Sequence, residues 1–281
     1  MSVLWNGVTH IGTHREVIRL IVKYPELTEI ALNSSGFAAK YLTPDYLVRG
    51  LTVAERASCF LHHYKKLHSI LSADLFSRIL REDIPIYEIR EGINRFTVTV
   101  GLSRPYDEEG ELSLLLQMNN EIIFVLAFTI VPGGVVRSPA AETLLITRLQ
   151  GVKGASSKIS DATRAMQDVA PRAMLFAALQ GIAATFGIAE ISAIPGVRQT
   201  SYLRQCAASF KEAYDDFFVE LGMSSRDAGF YYASLPHQAK PLASIKHGHK
   251  LRTKKKRAFK QQVQLSCASF FRNFLPAALH S

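Results

Sequence analysis

The sequence has only three cysteines, Cys59, Cys206 and Cys267, and they are far apart. No CxxC pair and no Cys/His spacing of zinc-finger type occurs, and an odd, sparse count supplies no disulfide framework. A reducing compartment is therefore expected. The start, "MSVLWNGVTHIGTHREVIRL", lacks a basic stretch followed by a long apolar run, so no secretory signal is read there. Long hydrophobic runs are missing too: "EIIFVLAFTIV" has 11 residues, whereas a spanning helix needs about 20. These absences lead to the expectation of a soluble, cytoplasmic protein. His62, His63 and His68, like His237, His247 and His249, form no HExxH or related pattern, so no metal is expected. Ser156 and Ser157 lack the G-x-S-x-G context of a hydrolase elbow. No repeat of 20–50 residues and no polar low-complexity tract appears.

What is present is a chain of 281 residues, 48% hydrophobic, enough for one large core or a core with a smaller helical part. The net charge is +9. Much of the excess sits in "KHGHKLRTKKKR", Lys246 to Arg257, with seven Lys/Arg and no acid. Such a run meets anionic lipid, nucleic acid or a phosphorylated ligand, or is simply a solvated face. Aromatic residues are not interleaved with the lysines and no nucleic-acid module is recognised, which argues against nucleic acid.

The first part, 1–85, reads as helical. "LTVAERASCFLHHYKKLHSIL" has apolar residues at a helical period, and Thr52 with Glu55 predicts a capping box. From about Ile86 the period changes. "RFTVTVG", "GELSLLLQM", "EIIFVLAFTIV" and "TLLITRLQG" read as strands, with Asn119-Asn120 as a two-residue hairpin turn. A glycine turn at Gly151 and Gly154 leads to a helix over 157–167. Asp168 and Pro171 then predict the start of a longer one, "PRAMLFAALQGIAATFG". "IAEISAI" is a short strand, "FKEAYDDFFVELG" an amphipathic helix, and "GFYYASLP" a last strand. The tail reads as helical to about Gln264. Hairpin-linked strands are antiparallel, and strands joined across a helix are usually parallel. The predicted class is α+β, a mixed, mainly antiparallel sheet flanked by helices. The expected segments are 1–85, a core over 86–245 and a basic tail over 246–281.

The order of elements resembles the GNAT acyltransferase superfamily, with local echoes in "RLQG" (Arg148 to Gly151) and in "FFVELGMSSRDAGFYYASLP". Most of the chain, from about Leu42 to Gln262, resembles the VirK/YbjX family of bacterial proteins. That resemblance lies in "ERASCFLHHYKKL", "EGELSLLLQMNNEIIFVLAFTIV", "RLQGVKG", "DATRAMQDVAPRAMLFAALQGIAATFGI", "YDDFFVELG" and "LRTKKKRAFKQQ". The first resemblance implies a thioester donor, coenzyme A or acyl carrier protein, held by Arg148, Leu149, Gln150, Gly151, Lys153 and Gly154. The second implies a bacterial setting, with links to virulence, envelope protein maturation and antimicrobial peptide resistance. Lys153 stands where the superfamily turn has a small residue, and Phe218 where it often has the tyrosine that protonates the leaving thiolate.

Acyl transfer needs a group to take the acceptor's proton. Glu111, at a strand entry beside Glu109, and His63, on the capped helix, are the candidates, and Tyr214, one turn before Phe218, is a displaced acid. Each also has a bland role: solvated entry acids, a packed histidine, a core phenol. The expected function is an acyltransferase-like protein acting on a bacterial acceptor. The alternative is a non-catalytic binding or chaperone-like factor. Residues 246–257 are the expected contact for an acidic carrier protein or for peripheral attachment at the inner membrane.

Overall fold

The computed structural model describes residues 11–34, 36–104, 107–226, 229–237, 241 and 247–275. Two short helices, α1 (Ile11–Lys23) and α2 (Pro25–Asn33), precede a 3₁₀ turn, Phe37–Leu42, and a loop that delivers α3 (Val53–Ile70). The capping box forms as expected: Thr52 accepts from the Glu55 amide at 3.2 Å, and Glu55 accepts from the Thr52 amide at 2.7 Å. Buried residues of α3 recur at helical spacing through Phe60, His63, Tyr64 and Leu67. Helix α4 (Ala73–Arg81) follows, capped by Ser72.

Eight strands form one sheet: β1 (Ile84–Glu91), β2 (Asn94–Leu102), β3 (Leu112–Met118), β4 (Glu121–Pro132), β5 (Glu142–Gly151), β6 (Glu190–Ala193), β7 (Ser224–Arg226) and β8 (Phe230–Ser234). Their order is β1-β2-β3-β4-β5-β6-β8-β7. All pairs are antiparallel except β5 with β6. That pair is joined by α5 (Ser156–Ala165) and α6 (Pro171–Thr185), a crossover only a parallel pair requires. Asn119 and Asn120 both take positive φ, 51° and 70°, as a tight β3–β4 hairpin demands. The class is α+β with a mixed, mainly antiparallel sheet and an N-terminal helical segment.

Three features differ from expectation. The sheet begins one strand earlier, with β1, and β7 precedes the last strand. Asp168 does not cap α6. It takes positive φ, 61°, and its carboxylate accepts from Arg252 at 3.0 Å, while α6 starts from Ala170 with no side-chain cap. The tail helix α8 (Lys250–Arg272) runs past Gln264, because Cys267, Ala268 and Phe271 continue its buried stripe. Lys246, the first cation of the basic run, lies outside the described residues, as do Met1–His10.

Between β6 and β7 the chain is helical from Ala207–Phe210 through a π-helical turn, Lys211–Asp216, to Phe217–Glu220. These run on without a break and are together α7. Helix α6 lies across β3 to β6, α8 packs on α6 and reaches β1, and α3 crosses β4. Covered by sheet and helix, α6 is buried at Met174, Leu175, Phe176, Ala177, Ala178 and Leu179 in succession rather than along one stripe. One buried cluster runs from Val17 to Phe271.

Candidate functional site

The parallel pairing of β5 and β6 is short. It runs from Leu144–Ile191 to Ile146–Ala193 and then stops. Strand β5 continues to Gly151, paired only with β4. An irregularity aids the divergence: Ile146 faces Phe128 while Arg148 faces Ala127, so Thr147 is extra on β5. A bulge of this kind bends and twists the strand that carries it. Thr147 anchors the bend by donating to the carbonyls of Glu109 and Ala127. Gly110 makes the approach possible, since a Cβ there would lie 3.0 Å from both the Ala127 Cβ and the Thr147 hydroxyl.

Beyond the pairing lies a cleft of about 450 Å³. Phe124, Leu149, Gly151, Ile159, Pro171 and Ala213 supply its apolar walls; Gln150, Thr163, Arg172, Ser209 and Glu212 supply polar groups. The amide of Leu149 points away from β4 and donates to the Tyr214 hydroxyl at 3.3 Å. Strand alternation places the Gly151 amide on the same edge. The floor is thus an unpaired strand edge, and one end is the uncapped start of α6.

Tyr214 comes from the π-helical turn and is fully buried. A π turn inserts a residue into a helix and shifts the faces on either side. Burial pushes the Tyr214 phenol well above its usual pKa, so it is protonated at neutral pH. Around it, Arg148 pairs with Glu109 at 3.0 Å, and Glu109 also accepts from the Thr200 hydroxyl at 3.0 Å. Phe218 lies one turn on and packs against Tyr231. Gln199, next to Thr200, is 1% exposed, and its side-chain nitrogen and oxygen have no partner among the described residues.

Glu111 and Glu109, two apart in sequence, do not share a face. Gly110 lies between them, and their carboxylates go to different partners. Glu111 is fully buried. It receives Lys40 at 2.6 Å and the hydroxyls of Tyr46 and Tyr64. Lys40 is itself enclosed by aromatic rings, 4.8 Å from the centre of Phe37 and 5.8 Å from that of Phe60. Burial, and then the charge of Glu111, holds the Tyr46 phenol well above its usual pKa. His63 sits beside this cluster, edge-on to Tyr64. Strand β3 starts at Leu112, opposite Phe128, so the Ile130 amide has no strand partner there, and His63 Nδ1 accepts it at 3.1 Å. Burial, then the charges of Lys40 and His62, pushes His63 well below its usual pKa. Glu111, His63 and the buried Tyr214 are not among the residues that line the cleft.

Of the residues expected at the donor turn, Leu149, Gln150 and Gly151 line the cleft, and Arg148 stands behind it in the pair with Glu109. Lys153 and Gly154 form an exposed turn, with Gly154 at φ 84°. The Gly151 hydrogen faces Ile159, where a Cβ would lie 2.8 Å from its Cδ1, so glycine lets α5 pack close. Sequence reasoning passed over Lys40, Arg172, Gln199 and Glu212. A lone lysine inside the apolar "GFAAKYL" was the available signal for Lys40. Arg172, Gln199 and Glu212 carried none. Among the described residues no group of three or more His, Cys, Asp or Glu is placed to hold a metal ion. No helix among them is long and apolar enough to cross a membrane.

Residues 4–268 match the family described as "Protein of unknown function (DUF535)", and the chain belongs to that family, which includes the VirK/YbjX proteins. No curated protein and no solved structure matches the chain.

Proposed function

We propose that the protein is an acyltransferase-like enzyme that takes an acyl group from a thioester on a pantetheine arm, coenzyme A or acyl carrier protein, and passes it to a bacterial acceptor. The observation that carries this reading is the parting of β5 from β6, which leaves the edge at Leu149–Gly151 without a strand partner beside a cleft ending at α6, with the Leu149 N–H held by Tyr214. Pantetheine is an extended chain with two amides. An unpaired strand edge complements such a chain as it would a peptide. The strand order adds support, since antiparallel hairpins leading to one parallel pair and a closing hairpin resemble the order of elements in the GNAT superfamily.

In this reading Tyr214, buried one hydrogen bond behind the cleft floor at Leu149, replaces the phenol missing at Phe218. Its oxygen accepts the Leu149 N–H, so its own proton is directed elsewhere. As the acceptor attacks the thioester carbonyl, the C–S bond breaks and the thiolate takes that proton. The exposed carboxylate on the cleft wall is Glu212, and it takes the acceptor's proton. Glu111 and His63 hold the helices to the sheet instead.

The test is thiol release from acyl-coenzyme A and acyl-pantetheine of several chain lengths, together with thermal shift. At 100 times Kd, a bound donor adds about 2.7 kcal/mol of stability. Ser209→Trp, which fills the cleft from its exposed side, is expected to abolish the shift. The second reading, a non-catalytic binding factor for envelope protein maturation or peptide resistance, is favoured by one observation: Glu109 and Glu111 are both already paired. Donor binding without thiol release under any acceptor mixture would select it.

A further inference from the structure

Within the acid-free C-terminal stretch of the chain, α8 is packed on the fold. From Ala228 to Ser281 there is no Asp or Glu, and the cations concentrate at the start of α8. The register of α8 on α6 decides where they go. A Cβ on Gly181 would lie 2.2 Å from the Gln264 carbonyl oxygen, the Thr185 hydroxyl donates to the Ala268 carbonyl at 3.3 Å, and the rings of Phe186 and Phe271 meet at 5.2 Å. Both numbers rise together, so the helices run parallel. The start of α8 therefore lies at the start of α6, and Arg252 paired with Asp168 at 2.9 Å pins it there. The start of α6 is the end wall of the cleft, where Ala170, Pro171 and Arg172 line it.

We propose that the first turns of α8, with Arg172, form a cationic lip at the cleft mouth that docks an acidic carrier protein while its phosphopantetheine arm enters along β5. This rests on the thioester reading above and names its donor. One observation favours a carrier protein over a free nucleotide thioester. Lys250, Arg252, Lys254 and Lys255 are exposed on several sides of a helix, and Lys250 to Lys260 spans roughly 15 Å, a surface wider than one diphosphate covers. Of the acids nearby, Asp168 pairs with Arg252 and Glu220 with Arg172, and the charge of Glu220 also reaches Lys260. Crowding is felt within the lip: burial, then Arg257 and Lys256, lowers the Lys260 pKa. Clustered charge of one sign steers an oppositely charged partner and makes association salt-dependent.

The experiment uses the full-length protein, purified bacterial holo- and apo-acyl carrier protein, acetyl-pantetheine, and vesicles of phosphatidylglycerol. Lys254→Glu/Lys255→Glu is the variant, since both side chains are exposed and outside the cleft. Expected is saturable binding of the holo carrier, tighter than of the apo carrier, that weakens at least tenfold in the variant and with rising salt. The thermal shift with acetyl-pantetheine and the melting temperature of the free protein are expected to be unchanged. No carrier binding, alongside a normal acetyl-pantetheine shift, overturns the lip and leaves the cleft reading standing. Equal binding of apo and holo carrier overturns the lip as an entrance to the cleft. Vesicle binding lost in the variant, with no carrier binding, overturns it in favour of a membrane surface. No shift with acetyl-pantetheine overturns the cleft reading and this inference together.

Discussion

The Glu111 cluster and the β5 cleft use similar side chains to opposite ends. Each has a carboxylate, a buried tyrosine and a cation nearby. Around Glu111 the groups come from the 3₁₀ turn, the following loop, α3 and the entry to β3, and they close on one another. Charges buried this way are costly to desolvate, and breaking one partner leaves the other stranded. At the cleft the backbone stays open instead, because the shape of β5 denies it a second neighbour. A buried carboxylate is thus a poor marker of chemistry by itself. The oxygens of Glu111 are taken by Lys40, Tyr46 and Tyr64, whereas the β5 edge beside the cavity has no strand partner.

The comparison can be broken most sharply at Lys40. Lys40→Met leaves the buried Glu111 without its cation, and a loss of about 3–5 kcal/mol in unfolding free energy is expected from denaturant titration. A loss under 1 kcal/mol would show that the cluster is not cohesive. Next is Tyr214→Phe. It removes a hydroxyl that accepts one amide, so stability falls by only about 1 kcal/mol, while thiol release falls by about 100-fold or more if the phenol is the acid. Unchanged turnover would take Tyr214 out of the chemistry.

A third measurement sharpens the cohesive side. His63 has a folded pKa well below its unfolded value because it is buried and faces Lys40. Below about pH 6.5 the unfolded chain binds a proton here that the folded protein does not. Stability therefore rises with pH in that window, and is lost on acidification at up to about 1.4 kcal/mol per pH unit from this group. His63→Asn keeps an acceptor for the Ile130 amide but cannot charge, and its acid slope is expected to be shallower by that amount. Equal slopes would mean the protonated imidazole is accommodated. The smallest effect is expected at Lys158→Ala, which removes an exposed ion pair to Glu121, for a change within about 1 kcal/mol.

Much of the fold was legible locally. The helical period of α3 and its Thr52/Glu55 box, the alternation of β2, and the paired asparagines between β3 and β4 are short-range signals that the tertiary structure had no reason to override. The expected residues Leu149, Gln150 and Gly151 do line the cleft, because the same strand-to-helix corner creates both the glycine pattern and the gap. Less legible were the strands β1 and β7. The first mixes exposed and buried positions without clean alternation, and the second has three residues.

By itself the sequence determined most of the helices and strands, and that charge gathers at the C-terminal end, because periodicity, capping and composition act over a few residues. It did not determine which polar groups meet. Lys40 and Glu111 lie 71 residues apart, Arg49 and Thr200 lie 151 apart, and Arg252 and Asp168 lie 84 apart. Glu109 and Glu111 are close neighbours, yet a glycine between them sends one toward Arg148 and the other toward Lys40. Only the tertiary structure decided these pairings. A buried charge takes whichever partner the packed helices and strands bring within hydrogen-bond reach, and that partner leaves no trace in the pattern around it.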